Sequence, residues 1–243
     1  MALEFEGKVA IVTGGSRGIG AAIVSKLAHE GASVIIADIS PPSKETPRAQ
    51  YIRTDVGKRD QVEAMFERTL AELGRVDILV NNAAATVRKP MLDLEVADVA
   101  KTWDVIQWGT FHCSQLAARA MVKSGEGGSI IVISSVQAER PSALSTAYNG
   151  AKAAVNHMAL TWAGELVKHR IRVNVIEPGW IDTPGEHILY TEEQLQEGAR
   201  MLPMGRLGRP EEIAEAVAFV ASGRASYMTG SILRVDGGIL LPV

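Results

Sequence analysis

Tyr148 and Lys152 stand four residues apart in a stretch with helical spacing, so their side chains share one helix face. A phenol with its ordinary pKa of about 10 is a poor base at neutral pH, but an ammonium beside it stabilises the phenolate and lowers that value. Such a pair can exchange a proton with a substrate oxygen. Ser135 closes a run rich in Val and Ile, at the carboxyl edge where open α/β sheets bind ligands, and its hydroxyl can hold the same oxygen. The three side chains lack only a hydride carrier.

A place for one comes earlier in the chain. Thr13-Gly14-Gly15-Ser16-Arg17-Gly18-Ile19-Gly20 follows the first strand-like run directly, and a helical pattern begins at once. Glycines there allow a tight bend and the close approach of a pyrophosphate, whose charge is favoured by free N–H groups and the helix N-terminus. About twenty residues on, at the end of the next strand-like run, Asp38 can accept hydrogen bonds from ribose hydroxyls. That favours NAD, because a 2′-phosphate would meet a like charge. Arg17 pulls towards NADP, since a guanidinium can pair with that phosphate. NAD is the expected cofactor and NADP the alternative.

Hydropathy shows which elements must carry these residues. Residues 8–13, 33–37, 76–81, 129–134 and 171–176 are apolar at successive positions, the pattern of strands buried on both faces. Residues 50–54 are more polar and read as an edge strand, and 231–235 as a last strand. Helical spacing occupies 19–30, 58–73, 96–122, 143–168 and 210–221. Strand and helix alternating along the whole chain predict an α/β fold with a doubly wound parallel sheet. Only 40–49 breaks the rhythm; with Pro41, Pro42 and Pro47 it is expected to form a turn or one helical turn.

The bulk composition agrees. Of 243 residues, 47% are hydrophobic and 22% charged, which suits a globular core and excludes a disordered or fibrous chain. A net charge of −3 with scattered Lys and Arg leaves no basic patch for nucleic acid. The single Cys113 cannot form an internal disulfide, and no Cys/His spacing suggests a metal site. No apolar run approaches the ~18 residues of a membrane span. A soluble cytoplasmic protein with a small-molecule substrate, and neither nucleic acid nor membrane as partner, is expected. Motifs and strands use nearly the whole length, so residues 1–243 read as a single cofactor-binding domain.

With these motifs the sequence resembles the classical short-chain dehydrogenase/reductase family over essentially its whole length. Thr13, Gly14, Gly18 and Gly20 match the family's TGxxxGxG, Tyr148 to Lys152 its YxxxK, and Ser135 its serine thirteen residues before the tyrosine. Asn81-Asn82-Ala83-Ala84 is similar to its NNAG, with Ala84 replacing Gly. The resemblance implies a Rossmann-type sheet of seven strands in the order 3-2-1-4-5-6-7, usually in a homotetramer, with Ser135, Tyr148 and Lys152 catalytic. For the cofactor it implies Gly14, Ser16, Arg17, Gly18, Ile19 and Gly20 at the turn, then Asp38, Asp55, Val56, Asn82 and Ala83. Tyr148 and Lys152 join Pro178, Gly179, Ile181 and Thr183 at the nicotinamide end. The phrase RVNVIEPGWIDTPGE at 172–186 looks like members labelled glucose 1-dehydrogenase or 3-oxoacyl-carrier-protein reductase. The implied activity is NAD(P)-dependent hydride exchange with a secondary alcohol or ketone, with a sugar or polyol as the substrate class. A 3-oxoacyl thioester reductase and a non-catalytic cofactor sensor are the alternatives.

One position departs from the family. Its fourth catalytic residue, an asparagine, falls twenty-five residues after Asn81, where this chain has Ile106. In the family that residue holds a water linked to the lysine, partly through a backbone carbonyl that isoleucine retains. Gln107 is turned by about 100° along a helix and is not expected to substitute, so the triad is expected to work with an altered proton relay. Elsewhere His29, His157 and His169 read as packing or solvated groups, His112 and Cys113 as core or interface, and Trp103, Trp108 and Trp162 as packing. Trp180 is balanced between packing and the substrate site. Residues 182–206, with Pro184, Gly185 and Pro203, look like a helical substrate lid, in which His187 and Tyr190 read as structural.

Overall fold

Strands buried on both faces form where the sequence is apolar at consecutive positions. The structure, a computed structural model, describes residues 3–242. In it β1 (Val9–Thr13), β2 (Ser33–Asp38), β3 (Ala49–Arg53), β4 (Ile78–Asn81), β5 (Gly128–Ile133), β6 (Ile171–Pro178) and β7 (Ile232–Val235) form one parallel sheet. Its order is β3-β2-β1-β4-β5-β6-β7, as expected. The chain steps outward from β1 to β3 and then returns to place β4 on the other side of β1, so a crevice opens at the carboxyl ends of β1 and β4.

Alternate residues of each strand feed two cores. Ile11, Ile130 and Val173 face α2 (Arg59–Leu73), α4 (Gly109–Ser124) and α5 (Thr146–Leu166) through Met65, Cys113 and Val155. Val12, Ile131 and Ile176 face α1 (Gly18–His29) and α8 (Pro210–Ala221) through Ile23, Leu27, Ile213 and Val217. Both faces are covered, which is why the inner strands are apolar throughout rather than alternating. The residues at 40–49 form no helix, as their prolines dictate.

The stretch at 96–122 is not one helix. α3 (Val96–Trp103) passes into a π-helical turn, Asp104–Trp108, before α4 begins. The wide turn lies against the loop after β3: a Cβ on Gly109 would sit 2.6 Å from Cγ2 of Val56, and the Gly109 N–H donates to the carbonyls of Asp104 and Ile106. Hydropathy spacing does not register a single widened turn. α5 starts at Thr146 rather than 143, because Leu144 before it has φ +65°. β4 starts at Ile78 rather than 76; the Asp77 carboxylate before it takes hydrogen bonds from Lys8, Val9 N–H and Arg75. The segment at 182–206 contains α6 (Glu186–Leu189) and α7 (Glu192–Met201). Among the described residues no helix is long and apolar enough to cross a membrane.

Candidate active site

The ends of β1 and β4 are tied together by side chains that the motifs supply. The Thr13 hydroxyl oxygen accepts the N–H groups of Asn82 at 3.0 Å and Ala83 at 3.1 Å. The Asn82 amide donates to the carbonyls of Thr13 at 3.1 Å and Gly14 at 3.0 Å. Within the turn so fixed, Gly14 has φ +62°, and a Cβ on Gly20 would lie 2.1 Å from the Gly14 carbonyl oxygen. No other residue fits these two places. Gly18, at φ +54°, faces Thr183, so the turn and the segment after β6 oppose each other.

This cradle suits a dinucleotide. No side chain caps α1 and its first turn holds no acid, which leaves its leading N–H groups for an outside anion. Asp38 ends β2 and is built into the same turn: its two oxygens accept the N–H groups of Ser16 at 3.0 Å and Ser40 at 3.1 Å. The remaining lone pairs can take a ribose diol. Asp55 accepts the Gly57 N–H at 3.0 Å, and the Val56 carbonyl meets Nδ1 of His112 at 3.1 Å, so these two residues shape the loop after β3.

A cavity of about 590 Å³ opens at the carboxyl edge of the sheet. Ser135, Tyr148 and Lys152 line it, together with Ile19, Asn82, Pro178, Gly179, Ile181 and Thr183. Gly14, Ser16, Arg17, Gly18, Gly20, Asp38, Asp55, Val56 and Ala83 lie outside that lining. Trp180 lines the cavity and also packs: Nε1 donates to Glu186 at 2.7 Å, the ring meets Tyr190 edge-on at 5.4 Å, and a Cβ on Gly198 would lie 2.3 Å from it. Tyr190, read as structural, is also a lining residue. Arg88, Gln137, Arg140, Ser142, Glu186 and Ile239 were not singled out in the sequence. They sit in loops, on the short α6 and near the chain end, where no periodicity or motif marks them. His187 binds Asp182 at 2.7 Å and does not line the cavity.

Ser135 stands two residues beyond β5 rather than within it, and its Oγ accepts the Gln137 N–H at 3.1 Å, leaving its own proton to donate. Lys152 is 3% exposed; its Nζ donates to the Ile133 carbonyl at 2.6 Å, and burial lowers its pKa to about 8. The ammonium lies over the Tyr148 ring, 5.5 Å from its centroid. Burial pushes the Tyr148 phenol up to about 12; the Ser135 hydroxyl pulls it back and the charge of Glu186 adds to the rise. Desolvation leads at Tyr148, and the Lys152 ammonium is directed at the Ile133 carbonyl and against the ring.

Ile106 is 1% exposed and packs in the α4/α5 core instead of lining the cavity. Gln107 is absent from the lining as well, so neither residue supplies the family's amide. Cys113 is fully buried, its thiol pushed up to about 12, and the described residues hold no cluster of metal ligands.

Residues 14–240 match a family model described as Enoyl-(Acyl carrier protein) reductase. A cis-4-hydroxycyclohexanecarboxylate dehydrogenase of Sinomonas cyclohexanicum is 39% identical, over 98% of this chain and 98% of its own. The crystal structure of a short-chain type dehydrogenase/reductase from Mycobacterium marinum superposes with TM-score 0.93 at 36% identity, covering 99% of this chain and 98% of that one. The ligand-free aldohexose dehydrogenase of Thermoplasma acidophilum gives TM-score 0.94 at 34% identity, covering 100% and 98%.

Proposed function

The chain belongs to the short-chain dehydrogenase/reductase family and is a nicotinamide-dependent oxidoreductase of alcohols and ketones; from there we propose that Ser135, Tyr148 and Lys152 are its catalytic residues and NAD its preferred cofactor. The observation that carries the assignment is the meeting of the three side chains on one cavity that Pro178, Gly179, Ile181 and Thr183 also line.

When bound, the nicotinamide supplies hydride to the substrate carbon or takes it away. Gly14, Ser16, Arg17, Gly18, Ile19 and Gly20 would hold the diphosphate, Asp38 the ribose, and Asp55 and Val56 the adenine. Asn82, Ala83, Pro178, Gly179, Ile181 and Thr183 would hold the nicotinamide end. Ser135, with its proton free, donates to the substrate oxygen. Tyr148, its half-buried phenol kept protonated at neutral pH by desolvation, delivers its proton to that oxygen as negative charge develops there. Lys152, still mostly charged at pH 7, then offsets the phenolate left behind. With Ile106 replacing the family's asparagine, the proton is replenished without a side-chain amide at that turn.

The substrate class we favour is a sugar or polyol, because Gln137 and Ser142 add hydrogen-bonding groups to the cavity and the solved aldohexose dehydrogenase shares the fold over its whole length. A 3-oxoacyl thioester is the second reading, in line with the acyl-carrier-protein description of the matching family model. A non-catalytic sensor would have no use for the three residues together. We read 1–243 as a single cofactor-binding domain and 182–206 as the substrate lid, held by Trp180 and by backbone bonds of 2.8 and 2.9 Å between Gly208 and the chain at Asp182 and Trp180. The outer face of α4 and α5 has a second, apolar cavity of about 460 Å³ beside Phe111, Val122 and Trp162, and we assign it to contact between copies in a cytoplasmic homotetramer.

Fluorescence titration with NADH and NADPH, followed by a screen of sugars, polyols, steroids and 3-oxoacyl thioesters, tests the reading. Tyr148→Phe should lower turnover by 100-fold or more (about the contribution of a positioned acid) and leave cofactor affinity nearly intact. Activity surviving in that variant would refute the assigned mechanism.

A further inference from the structure

We propose that the substrate carries a carboxylate and that Arg140, with Arg88 beside the same cavity, binds it; this rests on the reading of the cavity as the substrate site. Four charged side chains line it: Arg88, Arg140, Lys152 and Glu186. Two are already committed. Lys152 donates to the Ile133 carbonyl, and Glu186 accepts from the Trp180 indole. That leaves two guanidiniums and a net positive lining.

Neither arginine is matched to an acid among the described residues. The Arg140 side chain makes one hydrogen bond, to the Ile239 carbonyl at 3.3 Å, and the Arg88 side chain one, to the Tyr190 hydroxyl, while lying 5.5 Å above that ring. Elsewhere in the chain Arg48 pairs with Glu6, Arg59 with Glu63, Arg68 with Glu72 and Arg206 with Glu212. Glu139, next to Arg140 in the chain, is taken by Arg234. A guanidinium presents five donors in a planar fork that matches a carboxylate with two parallel bonds, so each of these has four donors to spare.

Their placement separates them from the cofactor's phosphates. Arg140 follows β5 on the loop that carries Ser135, and Arg88 follows β4, whereas the diphosphate cradle is the glycine turn after β1. Between Ser135 and Arg140 stands Gln137, whose Oε1 accepts the Ser142 hydroxyl at 2.9 Å, leaving its NH₂ group for a further substrate oxygen. The cavity thus has a reacting end at Ser135 and Tyr148 and an anion-binding end at Arg140. A hydroxy acid or oxo acid, with the carboxylate set away from the reacting carbon, fits both.

The test compares hydroxy acids with their uncharged counterparts, 3-hydroxybutyrate with its methyl ester and gluconate with glucitol, in the wild type, Arg140→Ala and Arg140→Lys. In parallel, calorimetry on the cofactor-saturated protein measures benzoate against benzamide. Benzoate should bind about 10- to 100-fold more tightly than benzamide, the range of a charge-assisted pair. Arg140→Ala should erase that difference and the acid-over-ester ratio of kcat/KM, Arg140→Lys should keep part of it, and added salt should weaken it. Equal affinity for benzoate and benzamide, no binding of either, or a preference that survives Arg140→Ala overturns the proposal. Tyr148-dependent turnover of neutral alcohols without any acid preference would sink the anion site and leave the oxidoreductase assignment standing. Arg140-dependent benzoate binding with no turnover of any alcohol would do the reverse.

Discussion

Replacing Gly198 by alanine measures how closely the proposed lid rests on the site. A Cβ at this position of α7 would lie 2.3 and 2.5 Å from Cζ3 and Cη2 of Trp180. Carbon atoms settle at about 3.5–4.0 Å, so helix and indole must separate by roughly 1 Å or more. Trp180 cannot swing away freely, since Nε1 donates to Glu186 at 2.7 Å and its ring packs on Tyr190. α7 is held at its start by a capping box between Thr191 and Gln194. Two effects oppose each other. Alanine is favoured over glycine in a helix by about 1 kcal/mol; overpacking costs about 1–3 kcal/mol. Overpacking should win locally, displacing Trp180, Glu186 and Tyr190 together. A misplacement of about 1 Å costs up to ~100-fold in rate, so kcat/KM should fall 10- to 100-fold while NADH affinity and the global unfolding midpoint stay close to wild type. Steady-state kinetics with hydrogen exchange across 186–201 reads both effects. A variant as active as wild type, with the lid more protected from exchange, would show that α7 does not rest on Trp180.

Asp38→Ser should shift preference from NADH towards NADPH by about tenfold or more, since a like charge near 4 Å costs about 1–4 kcal/mol in wet surroundings; an unchanged NADH/NADPH affinity ratio would count against Asp38 as the discriminator. Lys152 has its pKa lowered from 10.5 to about 8 by burial, so between those pH values the unfolded chain binds more protons and stability rises with pH. Below pH 8 the full penalty of burying the ammonium is present, on the order of 3 kcal/mol. Lys152→Met should therefore be more stable than wild type at pH 7, with the advantage shrinking as urea melts are repeated towards pH 10.5; a gap independent of pH would refute the buried charge. Ile106→Asn places an amide in an apolar core position and should cost about 2–4 kcal/mol on denaturation. If the proton relay is altered, its pH–rate profile should also shift from wild type, and a superimposable profile would argue against that.

Much of this molecule is legible from local spacing. Glycines at 14, 18 and 20, the four-residue step from Tyr148 to Lys152 and the apolar runs of the inner strands each express a constraint acting within a few residues. The strand order is implied by the resemblance to the short-chain dehydrogenase/reductase family, not by the runs themselves, and the sheet has it. Three features had no local expression. The π-helical turn at Asp104–Trp108 meets the loop after β3, so its cause, the close approach of Gly109 to Val56, lies about fifty residues away in sequence. Arg88, Arg140, Glu186 and Ile239 converge from separate segments, and an arginine in a loop has the same local sequence signature whether it faces solvent or a cavity. The protonation of Tyr148 also escaped the motif. Sequence determined that a phenol and an ammonium share a helix face; only the tertiary structure decided that the ammonium also donates to the Ile133 carbonyl and that desolvation raises the phenol. Spacing along a helix sets which groups are neighbours, but desolvation, which sets their charge, depends on everything packed around them.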